Sequence, residues 1–453
     1  MSFVTESTNS PLRMTPFQNN DTICLVGDSI THSGTYHSHI FLYHATRHPQ
    51  MRLRFVNCGI SGDSSSGMLG RLNQDVFSSN PTVVTLSAGM NDVGLGLYSL
   101  IKVPDDAENR KRNAIDAFKQ NIERISDALT EKGVRQILIT PTIYDEHVES
   151  RDENMRGANA ALGKCRDFVL EFGKTRNIPV VDFWHPMNEI NRTRQQADAS
   201  FTLVGKDRIH PGPIGHLVMA YLFLDQTNAE QDVWRISMDA KAHVVLEQKN
   251  AEVTDLETTS AGLTFSSKEM ALPFPLIEDA KEALNLVPFI ERLNQQVLQI
   301  HNLPAGNHTL KINGSEVGTY SHSAFEKGVN LAEKLATPQN VLARKIGKLC
   351  AEHHSLGNTI RMLRRVEMKD IVGVDLKDRE AVKAGLDAFV AKMLSQKDDP
   401  PERTEYYMLL ARTYLKEIDN EQSMRARMQA IEDEIYRINQ PAEYFYSLET
   451  SRA

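Results

Sequence analysis

The stretch Ile23-Cys24-Leu25-Val26-Gly27-Asp28-Ser29-Ile30-Thr31 decides how the first half of this chain is read. Four consecutive apolar residues run into a glycine, an aspartate and a serine. That pattern predicts a strand covered on both faces, as in the middle of a parallel sheet. In open α/β sheets, ligands and chemistry gather beyond the carboxyl ends of the strands. Ser29 stands at such a place and is a candidate nucleophile. A serine after a strand more often caps a helix, so its role depends on partners further along the chain.

Working outward, strand-like and helix-like segments alternate from Asp21 to about Asn228. Strands are expected over residues 23–26, 53–57, 83–87, 136–140 and 178–183. Helices are expected over 107–132, stopping at Gly133, over 152–176, and around 214–224. Five strands with helices between them imply right-handed crossovers and a doubly wound parallel sheet. The expected fold class is therefore α/β, a three-layer domain over residues 1–231.

Beyond it the texture changes. Residues 242–248, 263–265, 296–301 and 308–312 read as strands, and Asn313-Gly314 after Thr309-Leu310-Lys311-Ile312 is a hairpin signal. Residues 232–322 are expected to form a small antiparallel β module. From residue 323 to 453 the pattern is helical. Val382, Leu386, Phe389 and Met393 share one face, as do Met424, Met428, Ile431, Ile435 and Ile438. Asp398-Asp399-Pro400-Pro401 marks a break between helices.

The partners Ser29 needs appear one per strand end. After the second strand comes Asn57-Cys58-Gly59-Ile60-Ser61-Gly62-Asp63, where the Gly62 amide can face a developing oxyanion. After the third comes Ser87-Ala88-Gly89-Met90-Asn91-Asp92, where Asn91 carries a second donor. Asp207-Arg208-Ile209-His210 precedes the last helix of the domain. There His210 can take the proton from Ser29 while Asp207 fixes its tautomer.

These blocks, in this order, resemble the SGNH hydrolases of the GDSL esterase/lipase superfamily, and among them its carbohydrate-esterase-like members. The resemblance spans about the first half of the chain. It implies a flavodoxin-like five-stranded sheet and a serine esterase that needs no cofactor and no metal. It further implies Ser29 as nucleophile, His210 as base, Asp207 as its partner, and an oxyanion hole made by the Ser29 and Gly62 amides and the Asn91 side chain.

Asp28, Asp63 and Asp92 are expected to cap helices and brace loops rather than to hold a metal. Five histidines lie between His32 and His48, and of these His44 and His48 are one helical turn apart. No carboxylate or cysteine completes a ligand set, and solvated helix positions are expected. His353 and His354 are likewise expected at the surface. His32 and Tyr36 follow the nucleophile closely enough to be candidate pocket residues. Tyr144 and Trp184, after the fourth and fifth strands, are candidate aromatic walls for a substrate.

The polar residues after Ser29 (Thr31, His32, Ser33, Thr35, Tyr36, His37) suit a hydroxylated substrate better than a long acyl chain. A short-chain ester, most simply an acetyl group on a carbohydrate, is therefore expected. The alternatives are a lysophospholipase- or thioesterase-type acyl hydrolase, an acyltransferase, or a glycan-binding assembly protein with a vestigial esterase domain. The 453 residues exceed the usual span of a single core, and a net charge of −8 argues against a general nucleic-acid binder. The four cysteines show no CxxC spacing, so neither a disulfide framework nor a zinc site is expected. No apolar run suits a membrane span or a signal peptide, so a cytoplasmic protein without stable membrane association is expected, secreted or periplasmic if a leader has been trimmed. The helical region offers a surface for homo-oligomerisation.

Overall fold

Residues 22–27 form β1 (Thr22–Gly27) in the interior of the first sheet, with every residue after Thr22 buried. The computed structural model describes residues 17–101, 103–150, 153–259, 262–395 and 401–450. β1 is flanked by β2 (Arg54–Gly59) and β3 (Val83–Ser87), and β4 (Arg135–Ile139) and β5 (Val180–Val181) complete the order β2-β1-β3-β4-β5. All pairings are parallel. This is the flavodoxin-like order, whose switch point lies between β1 and β3.

Helices α1 (Ser29–Ser33), α2 (Tyr36–Arg47), α3 (Ser65–Gly70), α4 (Ala107–Glu131), α5 (Ala158–Arg176), α6 (Trp184–Gln195) and α7 (Pro213–Gln226) lie between and after these strands. α2 packs on α7, while α3, α4 and α5 pack in a row. The expected helix over 152–176 begins later, at Ala158. Gly157 takes a left-handed conformation (φ 92) and delays the helix start, while Asp152 lies outside the described residues.

The β module is a sandwich around Trp234, Phe265, Leu298, Ile300 and Tyr446. One sheet holds β6 (Asp232–Asp239), β7 (Val244–Lys249), β10 (Gln295–His301) and β13 (Val329–Asn330). The other holds β8 (Ala251–Thr259), β9 (Gly262–Glu269), β11 (Asn307–Ile312), β12 (Ser315–Ser321) and β14 (Ala442–Thr450). Two short helices, α8 (Phe289–Leu293) and α9 (His322–Lys327), bracket the strands after β9. The pairings are antiparallel apart from β6 with β10. β14 departs from the expectation of helix to the end of the chain. It carries the period-two pattern Tyr444, Tyr446, Leu448 inward and inserts between β9 and β11.

The helical region comprises α10 (Pro338–Arg365), α11 (Arg379–Leu394), α12 (Pro401–Glu417) and α13 (Glu421–Ile438). Val382, Leu386 and Phe389 face inward, as their spacing requires. Residues 398–400 of the expected helix break lie outside the described residues. Ile431 and Ile435 on α13 join the same core as β1 and α2, and α10 packs directly on α2. The region is therefore continuous with the α/β domain. Among the described residues, no helix is long and apolar enough to cross a membrane.

Glu269 ties the strand β14 to the rest. Its buried carboxylate accepts hydrogen bonds from Trp234 Nε1 (2.7 Å), Gln339 Nε2 (2.9 Å) and the Tyr446 hydroxyl. Burial outweighs these donors and raises its pKa from 4.5 to about 7. A carboxyl with a raised folded pKa contributes stability at low pH and loses it as pH climbs through that value. The loss is on the order of 3 kcal/mol between pH ~4.5 and ~7. Urea unfolding midpoints of the wild type should fall over this window, and the slope should flatten in Glu269→Gln.

Candidate active site

Three loops at the carboxyl ends of β1, β2 and β3, together with the turn before α7, meet at one point. Asp28 caps α1 by accepting from the Ile30 amide (2.9 Å), which leaves the next residue, Ser29, at the helix start. The Ser29 Oγ lies 2.7 Å from His210 Nε2, and His210 Nδ1 lies 2.5 Å from Asp207 Oδ2. The other Asp207 oxygen accepts the Ile209 and His210 amides, both at 3.0 Å. The turn between them needs Arg208 in the left-handed region (φ 69), which is unusual for a side chain of this size. It is held because the buried Arg208 guanidinium donates to the carbonyls of Asp145 (3.0 Å) and Val148 (2.8 Å).

The side of the site formed by Gly62 and Asn91 is equally well braced. Gly62 has φ 74, a conformation that favours glycine. A side chain at Gly59 would strike the His32 backbone at 2.3 Å, so glycine there lets β2 press against α1. Asn91 Nδ2 donates to the Asp63 carbonyl at 2.8 Å, which orients the amide and leaves its second N–H free of that bond. Asp92 accepts from the amides of Ser65 (2.9 Å) and Gly89 (3.0 Å), and Asp63 accepts from Arg71 Nε at 2.8 Å. The three aspartates thus brace these loops, and no cluster of potential metal ligands occurs among the described residues.

The site opens into a cavity of about 1640 Å³. Leu95, Tyr144, Glu153 and Met155 form one side of it. Gly347, Cys350, His354, Arg365, Tyr406 and Tyr407 of the helical region form another. None of these six was singled out from the sequence as a site residue, because they come from a region with no motif of its own.

Residues 25–218 match the family model described as GDSL-like lipase/acylhydrolase. The α/β domain belongs to the GDSL-like lipase/acylhydrolase family. An acetylxylan esterase of Geobacillus stearothermophilus is 26% identical over 183 residues, which cover 40% of this chain and 76% of that protein. A solved structure of a gut microbial diltiazem-metabolizing enzyme is 29% identical, superposes with a TM-score of 0.86, and covers 97% of this chain and 99% of its own. The crystal structure of the Geobacillus acetylxylan esterase is 22% identical and covers 47% of this chain and 96% of its own, with a TM-score of 0.39. The family match thus covers the α/β domain, and the two further regions lie outside it.

Within the GDSL domain, the structure reassigns three of the four expected substrate contacts. His32 is buried, and its Nδ1 accepts from the Ser61 amide at 3.1 Å, so it steadies the loop that carries Gly62. Burial, with Arg361 and Arg365 nearby, lowers its pKa to about 3 and keeps it neutral. Tyr36 is buried beneath Thr31, its hydroxyl 3.1 Å from Thr31 Oγ1. Trp184 is held at the α5–α6 contact, donating to Asn159 Oδ1 at 3.0 Å. Aromatic bulk drives the last two into packing contacts. Tyr144 does line the cavity.

The histidines expected at solvated positions are also reassigned. His37 is buried against His354 of α10 and His39 against Phe274, on different sides of α2, and His44 and His48 are half-buried. His353 is buried against Glu432 (3.1 Å), and His354 lines the cavity with His39 and His216. Burial lowers the pKa of His39 and His354 to about 4 and of His216 to about 3. This arm of the cavity is therefore uncharged at neutral pH.

His210 differs from all of these. Burial favours its neutral form, but the Asp207 carboxylate, through its hydrogen bond and charge, raises the net pKa above 6.5, with Asp28 adding to it. Burial raises the Asp28 pKa to about 6. The Asp207 carboxylate makes His210 a stronger base towards Ser29.

Proposed function

We propose that this protein is a serine esterase that removes a short acyl group, most simply acetyl, from a carbohydrate or similarly hydroxylated alcohol. The observation that carries the reading is the unbroken chain from Ser29 Oγ through His210 to Asp207, with links of 2.7 and 2.5 Å, at the mouth of the large cavity.

In the first step His210 Nε2 takes the Ser29 proton while Oγ attacks the ester carbonyl carbon. The charge on the carbonyl oxygen is met by the Ser29 and Gly62 amides and by the second Asn91 N–H. Collapse of the tetrahedral intermediate expels the alcohol, which leaves with the proton from His210. Water, deprotonated by the same His210, then releases the acid and regenerates Ser29. Asp207 holds the imidazole in the Nδ1–H tautomer throughout. The cavity exceeds the ~300 to 1,000 Å³ typical of small-ligand sites, which favours a bulky alcohol portion. The similarity to an acetylxylan esterase favours acetyl as the acyl portion.

Purified protein should turn over acetylated xylo-oligosaccharides at least about tenfold faster than esters of long acyl chains, because the polar arm rewards hydroxyls and not methylenes. Equal or faster turnover of the long-chain esters would overturn the substrate assignment. Transfer of the acyl group to an added sugar in place of water would make the enzyme an acyltransferase with the same residues.

A further inference from the structure

The loop from Gly59 to Asp63 receives two cations from the helical region, about three hundred residues away in sequence. Arg361 Nε donates to the Gly59 carbonyl at 3.0 Å, and Lys369 Nζ donates to the Gly62 carbonyl at 2.6 Å. Arg361 is itself anchored on buried Asp75 by two bonds of 2.7 and 2.8 Å. Arg71 links Asp75 to Asp63, so loop and helix share one network of charges. Lys369 lies in a π-helical turn, Val366–Asp370, at the end of α10, and its ammonium is 3.8 Å from Asp63 Oδ1. Such widened turns are frequent at functional sites.

From this geometry we propose that the helical region is a working part of the active site, with Lys369 as the positioning residue of the oxyanion loop. The inference rests on Gly62 being an oxyanion donor, as proposed above. Gly62 is exposed and carries no side chain, so local packing does not hold its backbone. Oxyanion donors work only when held 2.7–3.1 Å from the position the charge will occupy. The Gly62 carbonyl belongs to the peptide unit joined to that amide through Cα, so holding it limits how far the amide can swing away. The ammonium also places a positive charge on the loop that carries Gly62. The matched family domain ends at residue 218, so this clamp is supplied from outside it.

The test is steady-state hydrolysis of p-nitrophenyl acetate by wild type, Lys369→Met and Lys369→Arg. Methionine fills the same space without a donor. Its kcat should fall about 10- to 100-fold with KM within twofold, since a small displacement of catalytic geometry costs that much. Arginine can reach the same carbonyl and should restore kcat to within about threefold of wild type. Lys369 is partly exposed, so urea midpoints of the variants should match wild type. A Lys369→Met enzyme with wild-type kcat, or one impaired in KM alone, would overturn the inference and leave the esterase reading intact. Wild-type hydrolysis that survives Ser29→Ala unchanged would instead overturn the esterase reading, and the inference with it.

Discussion

Ser29→Ala should abolish ester hydrolysis, lowering kcat by about 10⁵- to 10⁶-fold, as loss of the nucleophile does in enzymes where serine and base act as a unit. The substitution removes one oxygen at the surface of a cavity and leaves the cap on α1 in place, because that cap is made by Asp28. Folding should be unaffected, and urea midpoints should stay within the range of surface substitutions. The remaining activity measures what Gly62, Asn91 and simple binding achieve with water alone. A fluorophosphonate probe should label the wild type at Ser29 and fail to label the variant. Retention of more than about a hundredth of the wild-type kcat would mean that another group attacks the ester, since oxyanion stabilisation alone leaves far less.

Asp207→Asn should have the next largest effect, about a 10⁴-fold fall in kcat, by analogy with the same change in other serine triads. An asparagine oxygen can still accept the Ile209 and His210 amides, so the turn should persist. What is lost is the acceptor facing His210 Nδ1. An amide N–H would stand there and favour the tautomer that carries its proton on Nε2, where it cannot take one from Ser29. The pH profile carries a second signature. Catalysis needs neutral His210, so in the wild type kcat/KM should rise with pH through an apparent pKa above 6.5 and fall away on the acid side. In the variant that acid limb should move to lower pH, because the carboxylate that raised the histidine pKa is gone. An unmoved limb would show that Asp207 is not the group coupled to the base.

The proposed catalytic constellation was legible because each part sits in a short local pattern. Ser29 follows an apolar strand, Gly62 and Asn91 follow two more, and Asp207 and His210 are three residues apart. The supporting residues gave no such signal. Nothing in the sequence marks Arg208 as the side chain that holds a left-handed turn, or His32 as a neutral acceptor beneath the loop. Proximity to Ser29 made His32 and Tyr36 look like pocket residues. His354 of α10 on one side of α2 and Phe274 on another bury His37 and His39, which a reading of α2 alone would leave in solvent.

The same contrast separates what each level determined. By itself, the sequence specified the five parallel strands and the helices between them, because strand period, helix period and glycine placement report local backbone and burial, and it nominated five site residues in the loops beside them. Tertiary structure alone decided that β14 returns to pair with β9 and β11, and that Ile431 and Ile435 join the core of the α/β domain. It alone brought Lys369 to Gly62 across 307 residues. Periodicity tells which face of an element is apolar, but not which distant face it will cover. That choice is made by packing, and here it places part of the helical region against the loop next to Ser29.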